Sequence, residues 1–362
     1  MQTMQTLKFV KKEVPHYATG EISSPVGKVF RVSSDWSRAD YWGMIKSRVG
    51  AFRMNYAVSP GLYAVGEPTK TSDIFVSANY KLSFDILRRE LKGINAWVLV
   101  LDTKSINVWC AAGKGTFGTN ELITRMAAVK LDIVVTHRRI IVPQLGAAGV
   151  SAAEVQRKTG FRVFFGPVQA KDIPSYVKAG YKKTKDMSTI RFPIMDRIIL
   201  TPMEINPAMK KFPWFAGAVL ILFGLQPSGI LFKSAWSGGM PFLALGLNSV
   251  LAGAFLTPVL LPFVPFRSFA IKGWIIGLLS MSAVAPLFGP AVRGEVLLLV
   301  ASWLFFPAMS SYMALQFTGS TTFTGMSGVK KELKIGIPLY LSVAGISLVL
   351  LMIYKIREWG IL

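Results

Sequence analysis

Apolar positions run together in long stretches through residues 212–362, whereas between Asp73 and Pro193 they come in short bursts broken by polar turns. The long stretches are Trp214–Phe232, Met240–Phe266, Trp274–Val292, Val296–Phe317 and Ile335–Tyr354. Each approaches the roughly 20 residues a helix needs to cross hydrocarbon, and none has a charge near its centre. The pattern predicts a domain of about five transmembrane helices, with Pro227, Pro258, Pro286 and Pro307 as kinks that neighbouring helices accommodate.

The short bursts read differently. Ile74–Ser77 is a strand, Phe84–Leu91 has helical spacing, and Ala96–Leu101 (AWVLVL) is a continuous apolar run, as in a strand buried on both faces. Leu122, Ile123, Met126, Ala127 and Val129 mark one face of a helix that Thr119 or Asn120 caps. Leu131–Val135 reads as the next strand, Val150–Thr159 as a helix and Arg162–Phe165 as another strand. Alternating strands and helices predict a parallel sheet with crossover helices, and such sheets bind ligands beyond the carboxyl ends of their strands. The expected organisation is an N-terminal segment 1–54, an α/β domain 55–186, a linker 187–211 rich in Pro and Met, and a transmembrane domain 212–362.

Charge sharpens this division. Residues 1–211 hold 32 Lys/Arg and 16 Asp/Glu, and residues 212–362 hold 9 and 3, for net charges of +16 and +6. Arg267 and Lys272 fall between the second and third runs, and Lys330, Lys331 and Lys334 between the fourth and fifth. The opposite loops offer Lys233 and Arg293. The positive-inside tendency puts the richer loops and the amino-terminal domain in the cytoplasm, and five spans put the tail Lys355–Leu362 outside. Met1–Val14 has no apolar stretch fit for a signal peptide. No basic run exceeds two residues and no zinc-finger or RNP-like pattern occurs, so the excess charge suits an anionic leaflet and not nucleic acid. The membrane part lacks a buried carboxylate or paired charges, which gives a proton-coupled transporter little support.

The chain has one cysteine, so it cannot form an internal disulfide, an iron–sulfur cluster or a Cys-based zinc site by itself. His16 and His137, the two histidines, lie far apart. His137 precedes Arg138-Arg139 at a strand end near the expected site, and its reading is structural. The informative segment follows the AWVLVL run: Asp102-Thr-Lys-Ser-Ile-Asn107-Val-Trp-Cys110-Ala-Ala-Gly113-Lys114-Gly115-Thr-Phe-Gly118. Gly113, Gly115 and Gly118 fit G-x-G-x-x-G, the dinucleotide fingerprint. That motif should follow its strand immediately, with an acidic residue ending the next strand, whereas here about ten residues intervene and Asp132 begins that strand. A second reading centres on Cys110. Asn107 is a good N-cap, Val108–Ala112 can form a short helix, and Gly113 or Gly115 can end it. Asn107, Cys110 and Lys114 then share one face, and the thiol sits near a helix amino terminus, which favours the metal-binding thiolate. An isolated cysteine can equally be a small buried core residue.

The octet Asn107-Val-Trp-Cys110-Ala-Ala-Gly-Lys114 resembles, residue for residue, the signature of the HgcA family of mercury-methylating corrinoid proteins. The resemblance extends to Phe75–Asp85, to His137-Arg138 through Pro143-Gln-Leu-Gly146, to Gly166-Pro-Val, and to Phe317–Glu332 before the last apolar run. Ser77 stands where the family often has Thr, which keeps the hydroxyl, and Gly146-Ala-Ala-Gly lacks an expected proline. The resemblance implies an α/β Rossmann-like corrinoid-binding domain, related to that of the acetyl-CoA pathway corrinoid iron–sulfur protein, followed by an all-α transmembrane domain. It implies a cobalamin-type corrinoid, cycling between methylcob(III)alamin and cob(I)alamin, with Cys110 as lower axial ligand to cobalt. Asn107, Val108, Trp109, Ala111, Ala112, Gly113 and Lys114 would surround the cofactor, and Ser77 and Asn79 would hydrogen-bond its ring amides. The implied activity is methyl transfer to Hg(II), forming methylmercury. The implied partners are a ferredoxin-like reductant with two [4Fe–4S] clusters and a methyltetrahydrofolate methyltransferase as methyl source. The setting is the cytoplasmic membrane of an anaerobic cell, with Phe317–Glu332 as a docking surface. A methyl carrier with another acceptor in one-carbon metabolism fits the same residues.

Overall fold

A computed structural model of the chain describes residues 14–288, 295–321, 323–324 and 326–361. The expectation for the first 13 residues, the charge of Arg293 and the end of the Trp274–Val292 run lie outside them. The chain divides into two units, one of residues up to Ser47 with Ala51–Ile190, the other of Arg48–Gly50 with Arg191–Leu362.

The first unit is an α/β layer structure. Its strands are β1 (Ala18–Ser24), β2 (Gly27–Val32), β3 (Gly61–Val65), β4 (Ile74–Ala78), β5 (Ala96–Leu101), β6 (Arg139–Val142) and β7 (Arg162–Phe165). They form one sheet in the order β1-β2-β3-β5-β4-β6-β7. β4 pairs in parallel with both β5 and β6, and β6 with β7, whereas β3 runs antiparallel to β5. Every residue of β4 and β5 is buried, because each face of the sheet carries an apolar layer. Burying one Val or Leu this way contributes about 1.5–3 kcal/mol. The chain leaves β4 for β5 on one side and later returns to β6 on the other. The strand order therefore reverses at β4, the kind of position where open α/β sheets form ligand crevices.

Two expectations change here. Leu131–Val135 is not a strand. Leu131–Val134 forms a single helical turn that buries Leu131 and Val134, three apart, and exposes Ile133. The strand is Arg139–Val142, whose Ile140, Ile141 and Val142 are buried in parallel pairing with β7. Most of the segment before residue 55 also belongs to this unit, adding the β1–β2 hairpin and helix α1 (Arg38–Val49) up to Ser47. Asp40 of α1 reaches helix α2 (Lys81–Glu90) in a buried ion cluster. Lys81 Nζ lies 2.9 Å from Asp40 and 2.6 Å from Asp85, and Arg88 lies 2.8 Å from each.

In the second unit, four helical stretches among the described residues are long and apolar enough to cross a membrane: Phe232–Leu260, Phe269–Leu287, Val296–Gly319 and Ser327–Glu358. The first expected span, Trp214–Phe232, is not one helix. A helix Pro202–Gly224 carrying Glu204, Lys210 and Lys211 ends there, and Leu225–Gln226 pairs with Gly229–Ile230 around a Pro227-Ser228 turn. Pro227 thus makes a turn, consistent with its fixed φ and missing donor. The expected loop charges move as well. Ser268 caps the helix Phe269–Val284, which places Lys272 inside it, and Lys330, Lys331 and Lys334 lie within the helix Met326–Glu358. Small residues bring helices close: a Cβ on Gly273 would lie 2.7 Å from Ser311 Cα, and one on Gly277 3.0 Å from Pro307 Cα.

Candidate functional site

The carboxyl ends of the four parallel strands gather the segments singled out from sequence. Ser77 is the penultimate residue of β4, Asn107–Trp109 follow β5, Pro143 and Leu145 follow β6, and Gly166-Pro167-Val168 follow β7. Together they line a mainly apolar cavity of about 250 Å³, closed further by Ile86 and Ile173.

The loop from β5 into this edge is held from below. Lys104 and Ser105 have φ of 57° and 60°, a left-handed pair that costs energy for residues with a Cβ. Asn79 offsets the cost. Its Oδ1 accepts from Thr103 N–H at 3.0 Å, Thr103 Oγ1 at 2.8 Å and Ser105 N–H at 3.0 Å. Asn79 is buried and its Nδ2 donates to Asp102 at 3.4 Å, so its amide is bonded to the loop through both its oxygen and its nitrogen. Asp102 Oδ1 accepts from Lys104 N–H at 3.1 Å, and Asp102 N–H donates to Glu121 at 2.8 Å. The Lys104 ammonium, bonded to Asp102, holds that carboxyl below its ordinary value.

The loop delivers helix α3 (Val108–Lys114). Asn107 caps it: its Oδ1 accepts from Cys110 N–H at 3.0 Å, and Gly115 ends it with φ of 80°. The cap therefore fixes the backbone of the cysteine itself, which is half-buried. Val108, Ala111 and Ala112 turn into the core. Gly149 lets its loop pass close to α3 at Ala112: a Cβ there would lie 3.1 Å from Ala112 Cα and 2.1 Å from Phe117 O. Gly113 and Lys114 are exposed at the last turn. Ser77, Asn107, Val108 and Trp109 thus line the cavity, whereas Cys110 to Lys114 do not.

The glycines of the fingerprint serve the chain turn. Gly115 ends α3 and Gly118 is the N-cap of helix α4 (Thr119–Ala128); a Cβ on Gly118 would lie 2.8 Å from Gly115 O. The cap expected from Thr119 or Asn120 is displaced, because Thr119 Oγ1 accepts instead from Ser151 N–H at 2.8 Å. His137 lies before β6, at the amino edge of the sheet and away from this cavity. Its ring is held at Ser72 O, 3.0 Å away, and accepts from Arg139 N–H at 3.2 Å. The residues that sequence reasoning missed are Thr103 and Glu121, polar partners of the loop. Their signal is weak, since Thr and Glu are common wherever helices begin.

Part of the first unit is similar to known proteins. The family model described as CO dehydrogenase/acetyl-CoA synthase delta subunit matches residues 52–177, which hold β3 to β7 and α3 but none of the membrane-capable helices. Among individual proteins, the chain is 27% identical over 126 residues to the gamma subunit of the acetyl-CoA decarbonylase/synthase complex of Archaeoglobus fulgidus, covering 34% of this chain and 26% of that protein. It is 29% identical over 124 residues to the large subunit of the corrinoid/iron–sulfur protein of Moorella thermoacetica, covering 34% and 27%. A gamma 2 subunit from Methanosarcina thermophila is 29% identical over 133 residues, covering 36% and 28%. The chain spans about a quarter of the length of the curated relatives it matches.

Proposed function

We propose that the α/β unit binds a corrinoid, to whose cobalt Cys110 would supply a thiolate, and that the chain is a methyltransferase forming methylmercury from Hg(II). The observation that carries this reading is a lone thiol on a capped helix at the carboxyl edge of a parallel sheet, within a segment related to the large subunit of a corrinoid/iron–sulfur protein. The donor set fits. Among the described residues no group of three or more His, Cys, Asp or Glu side chains could hold a bare metal ion. A single thiolate suits a metal whose other positions are filled by its own macrocycle.

When bound, the corrinoid supplies a cobalt centre able to accept and release a methyl group. The chain's residues do the rest. Asn107 holds the backbone of Cys110, as groups behind a ligand commonly orient it. Cys110 as thiolate is an anionic donor, and an axial ligand of that kind raises electron density at a metal. Val108, Trp109, Leu145 and Ile173 supply apolar wall to the cavity beside the amino end of α3, and Ser77 lines it too. Hg(II), a soft electrophile, is the acceptor. The reductant is a ferredoxin-like protein with two [4Fe–4S] clusters, and the methyl group arrives through a methyltetrahydrofolate methyltransferase. The membrane-capable helices hold the unit on the cytoplasmic face of the cell membrane.

The test uses the full chain loaded with methylated corrinoid and given Hg(II), with methylmercury measured by gas chromatography. Product from the wild type and none from Cys110→Ala is the expected result. The relatives' membership of acetyl-CoA complexes favours a second reading, a methyl carrier with another acceptor. That reading holds if the loaded protein passes methyl to a one-carbon acceptor while Hg(II) yields no product.

A further inference from the structure

A groove of about 990 Å³ runs between the amino end of the helix Phe269–Val284 and the amino-terminal part of the helix Met326–Glu358. Three cations line it. Arg267 and Lys331 are exposed, and Lys272 is 9% exposed with its ammonium donating to Leu261 O. One carboxylate, Glu332, lines the same groove, and it is committed elsewhere. Its Oε2 accepts from Ser268 Oγ and from Ala270 N–H, both at 2.9 Å, so it closes the first turn of the helix Phe269–Val284. The described lining of the groove therefore carries three cations against one carboxylate. Along the helix Met326–Glu358 the lining passes from Lys331 to the apolar Ile335 and Leu339, one and two turns on and 63% and 48% exposed, and Phe266 and Ile271 line the groove as well. Both walls belong to helices long and apolar enough to lie in a bilayer.

We propose that this groove binds an anionic phospholipid, its phosphate held by Arg267, Lys331 and Lys272 and its acyl chains laid along Ile271, Ile335 and Leu339. Charge complementarity selects the head group, and the polarity change along the groove matches the change from head group to hydrocarbon. A free phosphate would leave the apolar walls uncovered. The assignment also gives a use to Lys331, which lies on a helix and not in the loop expected from sequence.

The test is native mass spectrometry of the detergent-solubilised full chain with equimolar phosphatidylglycerol and phosphatidylcholine. One retained phosphatidylglycerol per chain is expected, with phosphatidylcholine unable to replace it. Arg267→Gln and Lys331→Gln, both at exposed positions, should each weaken retention roughly fivefold, the effect of one cation near an anionic head group. Lys334→Gln, exposed on the same helix but outside the groove, should leave it unchanged. Equal retention of both lipids, or retention indifferent to Arg267 and Lys331, overturns the proposal. Displacement of the lipid by millimolar inorganic phosphate also overturns it, in favour of a free-anion site.

Discussion

Asn79→Ala separates two accounts of the residue below the site. In the structure its buried side chain makes three acceptor contacts with Thr103 and Ser105 and steadies a left-handed pair of residues. Alanine leaves the Thr103 hydroxyl its contact with Ile106 O at 2.6 Å. The N–H of fully buried Thr103 is orphaned, at a cost of about 1–3 kcal/mol. Ser105 is only half-buried, so water replaces most of its lost bond. The total is about 2–3 kcal/mol, which for a unit of this size lowers the melting temperature by roughly 5–10 °C. Calorimetry of the full chain measures the shift, and hydrogen exchange of peptides covering residues 102–115 locates it. Corrinoid retention should fall together with protection of that segment. Loss of corrinoid with stability and exchange unchanged would refute the reasoning and make Asn79 a direct ligand of the ring.

Asn107→Ala should cost about 1 kcal/mol by uncapping α3, and Asn107→Asp should restore most of it, read as shifts in the urea midpoint. Gly149→Ala places a methyl group 2.1 Å from a backbone oxygen and should destabilise by about 3 kcal/mol, whereas Gly113→Ala, with open space around it, should be tolerated. Burial alone would raise the Asp40 carboxyl, but hydrogen bonds from Lys81, Ser37 and Arg88 win and hold it well below its ordinary 3.8. Its folded value is depressed, so its contribution is complete above about pH 5 and lost as pH falls further. Lys81→Met should cost about 3–5 kcal/mol at neutral pH, and the gap from wild type should narrow in acid; a gap independent of pH would remove the ion cluster from the account.

Much of this was legible in the residues. The AWVLVL run announces a strand buried on both faces, and Asn107 marks the start of α3 because a cap is local chemistry, whereas the choice of Gly115 over Gly113 as its end came only with the structure. The helix at 131–134 was not legible, since LDIVV suits a strand or a turn of helix equally and the choice rests on pairing with distant strands. The role of Asn79 was hidden for the same reason: its partners lie more than twenty residues away, and only the fold brings them within 3 Å. His137 looked close to the site because it neighbours a strand, but sequence does not say which end of that strand it occupies. The membrane part misled through averaging, because the apolar run Trp214–Phe232 spans the end of one helix, a two-stranded turn and the start of the next.

Cobalt X-ray absorption of the corrinoid-loaded full chain reads the axial ligand directly. A sulfur scatterer in the first shell of the wild type, absent in Cys110→Ala, is the predicted outcome. A first shell of only nitrogen and oxygen in the wild type, or one identical in the two proteins, would contradict it.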